Sequence, residues 1–315
     1  MLENTSIVGR YAPSPTGELH LGNLRTAVLA WLHARLQGGT FLLRMEDIDL
    51  PRVVSGSADQ ILRDLEWLGL DWDGEVIYQS QRLEYYQTAL AELDRQGVIY
   101  PCFCSRKDIR KAGSAPHREV NETPSEIIYP GTCRQLSLAQ RKDKRKHKHP
   151  ALRLRVDDDL EEQCGDFVVK RADDLFAYQL VVVVDDLAQG VNQVVRGADL
   201  ADSTARQQYL ATLLSRQNAS KSSSIAYFHT PLMCDENGQR MSKRDGSLSI
   251  SAWRDQGNSQ PERLLATLLQ SLGLDLGAAF ETSLYSSLDI NGGLQISSDD
   301  ALELISVADV ERCFV

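Results

Sequence analysis

Apolar positions along this chain change period several times, and the changes outline its elements. Ile7–Tyr11 reads as a short buried strand. The next segment, Ala12–Gly17 (APSPTG), is a loop, since two prolines and a glycine forbid a regular element. From Leu21 to Gln37 the positions Leu24, Val28, Trp31, Leu32 and Leu36 form an apolar helical stripe, which Gly38-Gly39 stops. Thr40–Arg44 predicts a second strand, running into the acidic segment Glu46-Asp47-Ile48-Asp49. Helices are predicted over Ser57–Leu68 and Gln81–Gln96, the latter ended by Gly97.

Val98–Cys104 reads as a strand entering a cysteine-bearing region. Gly113–Pro130 has few apolar residues and three prolines, and is expected to be a loop. Leu152–Val156 and Phe167–Lys170 alternate like strands of a small sheet. Tyr178–Gln189 sets local preference against periodicity. Val181–Val184 alone suggests a strand, but Ala177, Leu180, Val181, Val184, Leu187 and Ala188 fit helical spacing, with Gly190 where a cap belongs. A helix is therefore expected. Val191–Arg196 and Ile225–His229 read as strands, with a helix over Asp202–Leu214 between them. A further helix is expected over Ser259–Leu272, with Ser259 as cap, Pro261 in the first turn and Gly273 after it, and Leu284–Gln295 reads as loop. Strand–helix alternation at both ends, broken by a strand-rich middle, places the chain in the α/β class: a parallel-sheet domain split by an α+β insertion.

Composition adds limits. A chain of 315 residues holds roughly two domains. Its longest uninterrupted apolar run, Leu180–Val184, is far too short to span a bilayer. Met1–Arg10 contains Glu3 and no apolar core, so no signal peptide is expected. Six cysteines in a chain this long do not suggest a disulfide scaffold; their clustering favours metal binding in a reducing cytoplasm. A net charge of −10 argues against non-specific coating of nucleic acid. It leaves open the local basic run Arg141–His149, which is either a solvated, partly disordered loop or an RNA-phosphate contact.

Three constellations carry chemistry. Pro13-Ser14-Pro15-Thr16-Gly17 with His20-Leu21-Gly22-Asn23 lies between a strand and a helix. Free N–H groups and the positive dipole end at such a helix start suit a phosphate, and His20 there can donate to a phosphoryl oxygen. Gly22 allows close backbone approach of a nucleotide. Arg240-Met241-Ser242-Lys243-Arg244, after Asp235–Gly238, offers a lysine on a loop that glycines leave free to close. The third is Cys102-Phe103-Cys104 with Cys133. Soft thiolates select zinc or an iron–sulfur cluster, and the alternative is reduced packing cysteines. The residues alone leave the fourth ligand open, with His117, His147 and His149 as rivals to Tyr129. Cys164, Cys234 and Cys313 are isolated and read as structural.

The first two segments resemble the "HIGH" and "KMSKS" signatures of class I aminoacyl-tRNA synthetases. GRYAPSPTGELHLGNLRTA with FLLRMEDID resembles the glutamyl/glutaminyl branch, and DFVVKRADDLFAYQLVVVVDDLAQGVNQVVRGADLADSTARQ extends the likeness, which runs from about Ile7 to about Ser249. The resemblance implies a Rossmann-like nucleotide-binding domain in two halves, 1–97 and 176–245. Between them it implies a zinc-binding, acceptor-type insertion over 98–175, and after them a small helical subdomain over 246–315. Arg10, Ala12, Pro13, Ser14, Glu46, Tyr178 and Arg196 match positions that hold L-glutamate. His20, Gly22, Asn23, Met241, Ser242 and Lys243 match positions that hold ATP, with His20 and Lys243 as the catalytic pair. Asn23 stands where the motif ends in histidine; Arg240 and Arg244 replace a lysine and a serine.

The C-x-C…Y-x-x-x-C pattern resembles that of the glutamyl-Q tRNA(Asp) synthetases, in which Cys102, Cys104, Tyr129 and Cys133 would hold one structural Zn²⁺. The 71 residues after Arg244 leave room for one small helical subdomain, so no anticodon-binding domain is expected. The resemblance then implies glutamate activation with Mg²⁺ and ATP, and glutamyl transfer to queuosine in tRNA(Asp), by a cytoplasmic monomer with no membrane partner. The alternatives are a discriminating glutamyl-tRNA synthetase fragment and a non-catalytic tRNA-binding paralogue.

Overall fold

A computed structural model describes residues 6–113, 128–216, 224–233, 249–255, 260–274 and 306–315. The chain divides into two compact units. Met1–Gln81, Gly190–Ala201 and Ser224–Val315 form the first; Arg82–Gln189 and Asp202–Ser223 form the second.

The first unit is built on a parallel sheet. Its strands are β1 (Val8–Tyr11), β2 (Thr40–Met45), β3 (Ile77–Tyr78), β7 (Gln193–Gly197) and β8 (Ala226–Thr230), ordered β3-β2-β1-β7-β8. Every neighbouring pair is parallel, with Gly9 opposite Gln193 and Arg196 opposite His229. Strand order reverses between β1 and β7. That switch point is where open α/β sheets receive ligands, outside the carboxyl ends of the strands. Helix α1 (Leu21–Arg35) packs on β1, β2 and β7 and is buried almost all round, from Leu24 to Ala34. Helix α2 (Ser57–Trp67) turns Ile61 and Leu65 to the same core.

The second unit carries an antiparallel sheet, β4 (Ile99–Cys102), β5 (Ala151–Leu154) and β6 (Phe167–Lys170), in that order. Helices α3 (Leu83–Arg95), α7 (Tyr178–Gln189) and α8 (Thr204–Ser215) pack on one another in the same unit. α7 resolves the conflict between valine preference and period in favour of the helix. Leu180–Val183 are wholly buried, and a helix buried on every side tolerates β-branched residues because packing outweighs their small local penalty.

Three helices of the second unit have no apolar period to announce them: α4 (Arg106–Gly113), α5 (Leu138–Arg145) and α6 (Asp158–Glu161). α5 replaces the loop that was one of two readings of the basic run with a helix over its first half. Ser137 accepts from Gln140 N while the Gln140 side chain accepts from Ser137 N, a reciprocal cap that starts a helix of good helix formers. In the first unit, α9 (Ile250–Asp255), α10 (Pro261–Gln270) and α11 (Val307–Glu311) follow. Pro261 does occupy the first turn of α10, after Gln260; the expected cap, Ser259, lies outside the described residues. So do the loop expected over Leu284–Gln295 and most of that expected over Gly113–Pro130.

Candidate functional site

The loop after β1 is pinned from two sides. Glu46 N donates to Pro13 O and Val54 N to Pro15 O, both at 2.9 Å. Gly17 has φ 130°, a conformation that side chains resist, and Ser57 Oγ bonds both its N–H (3.1 Å) and its carbonyl (2.7 Å). Pro13 is buried, Ala12 half-buried, and Ser14 stands exposed.

His20 caps α1. Its Nδ1 accepts from Asn23 N at 3.4 Å, which leaves the proton of a neutral ring on Nε2. The imidazole is thereby oriented to donate from its far nitrogen beside the free N–H groups of the helix start. A Cβ on Gly22 would stand 3.3 Å from this ring, so Gly22 makes room for His20 itself. His20 also forms an antiparallel bridge with Ser249, and Ser251 Oγ donates to Glu18 at 2.8 Å. The chain just after the second motif thus returns to the edge of the first. Arg240, Met241, Ser242, Lys243 and Arg244 lie outside the described residues, as do Cys234 and His117.

Arg10 and Arg196 lie on the adjacent strands β1 and β7, both almost fully buried. Arg10 Nη1 donates to Val195 O at 3.4 Å. The Arg196 guanidinium lies 4.7 Å over the Tyr227 ring, and its Nε donates to His229 Nε2 at 3.4 Å. Burial and then the Arg196 charge hold the His229 imidazole below its ordinary pKa, so it stays a neutral acceptor. Glu46 follows β2, with Oε1 3.8 Å from the fully buried Arg44. Asp47 accepts from Ser80 N (2.8 Å) and Oγ (2.6 Å), fixing the acidic segment. The first unit therefore carries Arg10, Glu46, Arg196 and the His20 turn at the carboxyl edge of one sheet. Tyr178 opens α7 in the second unit, half-buried.

Sequence reasoning missed Arg44 and His229. An arginine inside the apolar run of β2 and a histidine opposite Arg196 become informative only once strand register is known.

In the second unit, Cys102, Cys104 and Cys133 converge, their sulfurs all within 4.8 Å of one another. Cys104 Sγ is 3.7 Å from Cys133 Sγ; Tyr129 Oη is 3.4 Å from Cys102 Sγ and 3.8 Å from Cys104 Sγ. Backbone N–H groups point into the cluster: Phe103 N donates to Cys133 Sγ (3.5 Å) and Cys133 N to Tyr129 Oη (2.8 Å). Arg153 lies 3.9 Å over the Tyr129 ring and donates from Nε to Cys102 Sγ at 3.3 Å. Burial acts to raise the Cys102 thiol, but bonds from Tyr129 and Cys104 and the Arg153 charge outweigh it and lower its pKa. Burial pushes Cys104 up to about 11. Gly165 lets the next turn approach: a Cβ there would meet Ile128 at 2.8 Å. Of the rival histidines, His149 is exposed and bonded to Ala172 O, and His147 is exposed. Cys164 and Cys313 are buried, form no disulfide and do not belong to this cluster.

Comparison with known proteins adds the following. The family model described as tRNA synthetases class I (E and Q), catalytic domain, matches residues 6–282. A protein of Nocardia farcinica named glutamyl-Q tRNA(Asp) synthetase is 49% identical over 278 residues, 84% of this chain and 85% of that one. A Geobacter sulfurreducens protein of the same name is 49% identical over 272 residues, 83% of each. Among solved structures, a glutamate-tRNA synthetase from Elizabethkingia anophelis matches with a TM-score of 0.72 at 21% identity, covering 98% of this chain and 68% of that one; that likeness is one of fold.

Proposed function

The chain belongs to the class I tRNA synthetases of the glutamyl and glutaminyl kind, within the glutamyl-Q tRNA(Asp) synthetase family, and from that premise we propose how its residues do the work. It is a ligase that activates L-glutamate with ATP and transfers the glutamyl group to queuosine in tRNA(Asp). Arg10 and Arg196 hold the glutamate side-chain carboxylate, with Ala12, Pro13 and Ser14 completing its pocket. Glu46 takes the α-ammonium group. A buried guanidinium pair suits a carboxylate because the planar donors are fixed before the ligand arrives.

In the first step an oxygen of the glutamate α-carboxylate attacks the α-phosphorus of ATP. The bond from that phosphorus to the bridging oxygen breaks, and pyrophosphate leaves. His20 Nε2–H and Lys243 stabilise charge on the phosphoryl oxygens, and Gly22, Asn23, Met241 and Ser242 line the nucleotide. Mg²⁺ enters with ATP as part of the substrate. In the second step a hydroxyl of the queuosine cyclopentenediol attacks the activated carbonyl, and AMP leaves. Positioning and charge stabilisation suffice; no protein nucleophile is required.

The cysteine cluster is proposed to hold zinc. Bonds of about 2.3 Å to sulfur and 2.0–2.2 Å to oxygen place tetrahedral ligands about 3.8 Å apart for S–S and about 3.5 Å for S–O. The separations of 3.7, 3.4 and 3.8 Å fit that tetrahedron with Tyr129 as the fourth ligand. Four protein ligands leave no open position, so the metal's part is structural. The domain division follows: catalytic halves over 1–97 and 176–245, the zinc insertion over 98–175 and a terminal helical subdomain over 246–315, acting as a cytoplasmic monomer. Among the described residues no helix is long and apolar enough to cross a membrane.

Glutamate activation is supported most by one arrangement: a histidine-capped helix start beside two buried arginines and a carboxylate at the sheet's switch point. Glutamate-dependent ATP–pyrophosphate exchange, followed by glutamate transfer to tRNA(Asp) with and without queuosine, tests the proposal. Exchange and queuosine-dependent transfer are expected. Transfer that prefers queuosine-free tRNA(Glu) would sink the queuosine assignment, and absence of exchange would sink the enzymatic one.

A further inference from the structure

In a protein of net charge −10, residues 138–149 hold six lysines and arginines against one aspartate. Residues 106–111 hold four against one. Both segments lie in the second unit, and structure rather than chance composition makes them a surface. Lys142 to His149 are all exposed, as are Arg106, Lys107, Arg110 and Lys111 on α4. Lys148 and Lys111 both act on the Asp108 carboxylate of α4, so the two segments are neighbours.

The basic segment is also held at both ends. At its start, Arg141 Nη2 donates to Arg134 O at 3.4 Å, next to Cys133. At its end, Lys148 Nζ donates to Phe103 O at 2.6 Å, between Cys102 and Cys104. The cysteine cluster thus carries the cationic helix as a rigid mount. Lys142 and Arg145 lie on one face of the helix, and Lys146 caps its end one turn beyond Lys142, while Lys144 points to the opposite side. The side chains of Lys142 and Arg145 have no hydrogen-bond or ion-pair partner among the described residues, and Lys146 pairs only with the exposed Asp143 at 3.1 Å. A mobile basic loop would lose much of its attraction to the entropy of ordering; a capped helix fixed at both ends does not.

We propose that the exposed cationic face of α5, with α4 beside it, grips the phosphate backbone of the tRNA substrate. Resting on the tRNA(Asp) assignment above, this adds the surface that holds the RNA. Exposed cations gathered on one helix face of an otherwise acidic protein suit a polyanion. They confer attachment and orientation; recognition of queuosine belongs elsewhere.

The test compares the whole chain with Lys142→Ala/Arg145→Ala/Lys146→Ala, and with the same three positions changed to Glu. Binding of tRNA(Asp) is followed by fluorescence anisotropy over a range of salt. Three lost phosphate contacts are expected to lower the slope of log K against log salt by about two to three, since each contact contributes roughly 0.7–0.9. Affinity at low salt should fall at least tenfold, further for the Glu variant, while glutamate-dependent exchange without tRNA stays at the wild-type level. Changing Lys142 and Lys146 to Arg should keep the wild-type slope. An unchanged slope in the Ala and Glu variants would overturn the proposal. So would poly-glutamate competing as well as tRNA at equal charge, which would point to an acidic protein partner. Failure of queuosine-dependent transfer alone would overturn the substrate assignment and leave the RNA-binding result standing.

Discussion

Asp185 on α7 has no exposed surface, yet it is a charged residue in a run of valines. Arg82 Nε donates to it at 2.6 Å and Tyr86 Oη at 2.8 Å, so α7 and α3 share one buried ion pair. Removing one partner of such a pair leaves an uncompensated charge and costs about 3 kcal/mol or more. Asp185→Ala is therefore expected to lose about that much stability in urea unfolding, and Tyr86→Phe only about 1 kcal/mol, one hydrogen bond. An Asp185→Ala protein as stable as wild type would show that the pair is worth no more than an exposed one. His20 is a residue of the opposite kind: half-exposed, and oriented by its own helix through Nδ1. His20→Ala is expected to lower glutamate-dependent exchange by about 100-fold or more, the usual cost of one charge-stabilising donor, and to cost only about 1 kcal/mol in unfolding, that of a lost helix cap. His20 was legible in the sequence because its motif is local. The pairings of Asp185 and Arg196 were not, because their partners lie far along the chain or across strands.

At the scale of elements, the apolar period found the longer strands and helices that pack on a core; it missed β3, α9 and α11, which are too short to show a period although Ile250 and Val310 are buried. It found α7 against the preference of four valines, since twelve residues of period outweigh local propensity. It could not find α4, α5 or α6, because helices on a surface have no stripe to bury. α5 declared itself instead through Ser137 and Gln140, a signal three residues long. The cysteine elements behave similarly. C-x-C and Cys133 were legible as a candidate metal cluster, whereas Tyr129 came only from the resemblance, and its approach to the sulfurs needed coordinates. Tyr129 Oη approaches two of the sulfurs to 3.8 Å or less, and His149 turns to Ala172 instead. The proposed zinc site predicts that Tyr129→Phe retains less zinc than wild type under dialysis against a weak chelator, measured by elemental analysis. Equal zinc content would remove Tyr129 from the ligand set. Full chelation of the wild-type protein should lower the melting temperature of the second unit, because the metal's binding energy is folding energy there.

Across the whole molecule, stability should depend on a histidine that no motif contains. His33 of α1 is 1% exposed, with Phe228 and Phe314 packed on its ring at 4.5 and 5.2 Å. Its Nε2 is 3.7 Å from Glu311 of α11. Burial lowers its pKa from the ordinary 6.5, and Glu311 only partly restores it. The folded protein thus holds His33 neutral where the unfolded chain would protonate it. The stability this contributes is fully present above about pH 6.5 and is lost as pH falls from there toward the folded value. Wild-type stability should therefore drop below about pH 6.5 more steeply than that of His33→Leu, by at most about 1.4 kcal/mol per pH unit for one proton. Parallel curves for the two proteins would mean that His33 titrates alike folded and unfolded. The sequence by itself determined the α/β class, the parallel sheet interrupted by an insertion, the helix-start motif and the candidate cysteine cluster, since period, turn chemistry and short motifs are local properties. Tertiary structure alone decided that the sheet reverses order between β1 and β7, that His20 meets Ser249, that the Tyr129 hydroxyl approaches the cysteine sulfurs, and that the basic run begins in a helix and is tied back beside them. Each of these joins residues distant in the chain, and such contacts are fixed by register and packing, which a linear pattern does not encode.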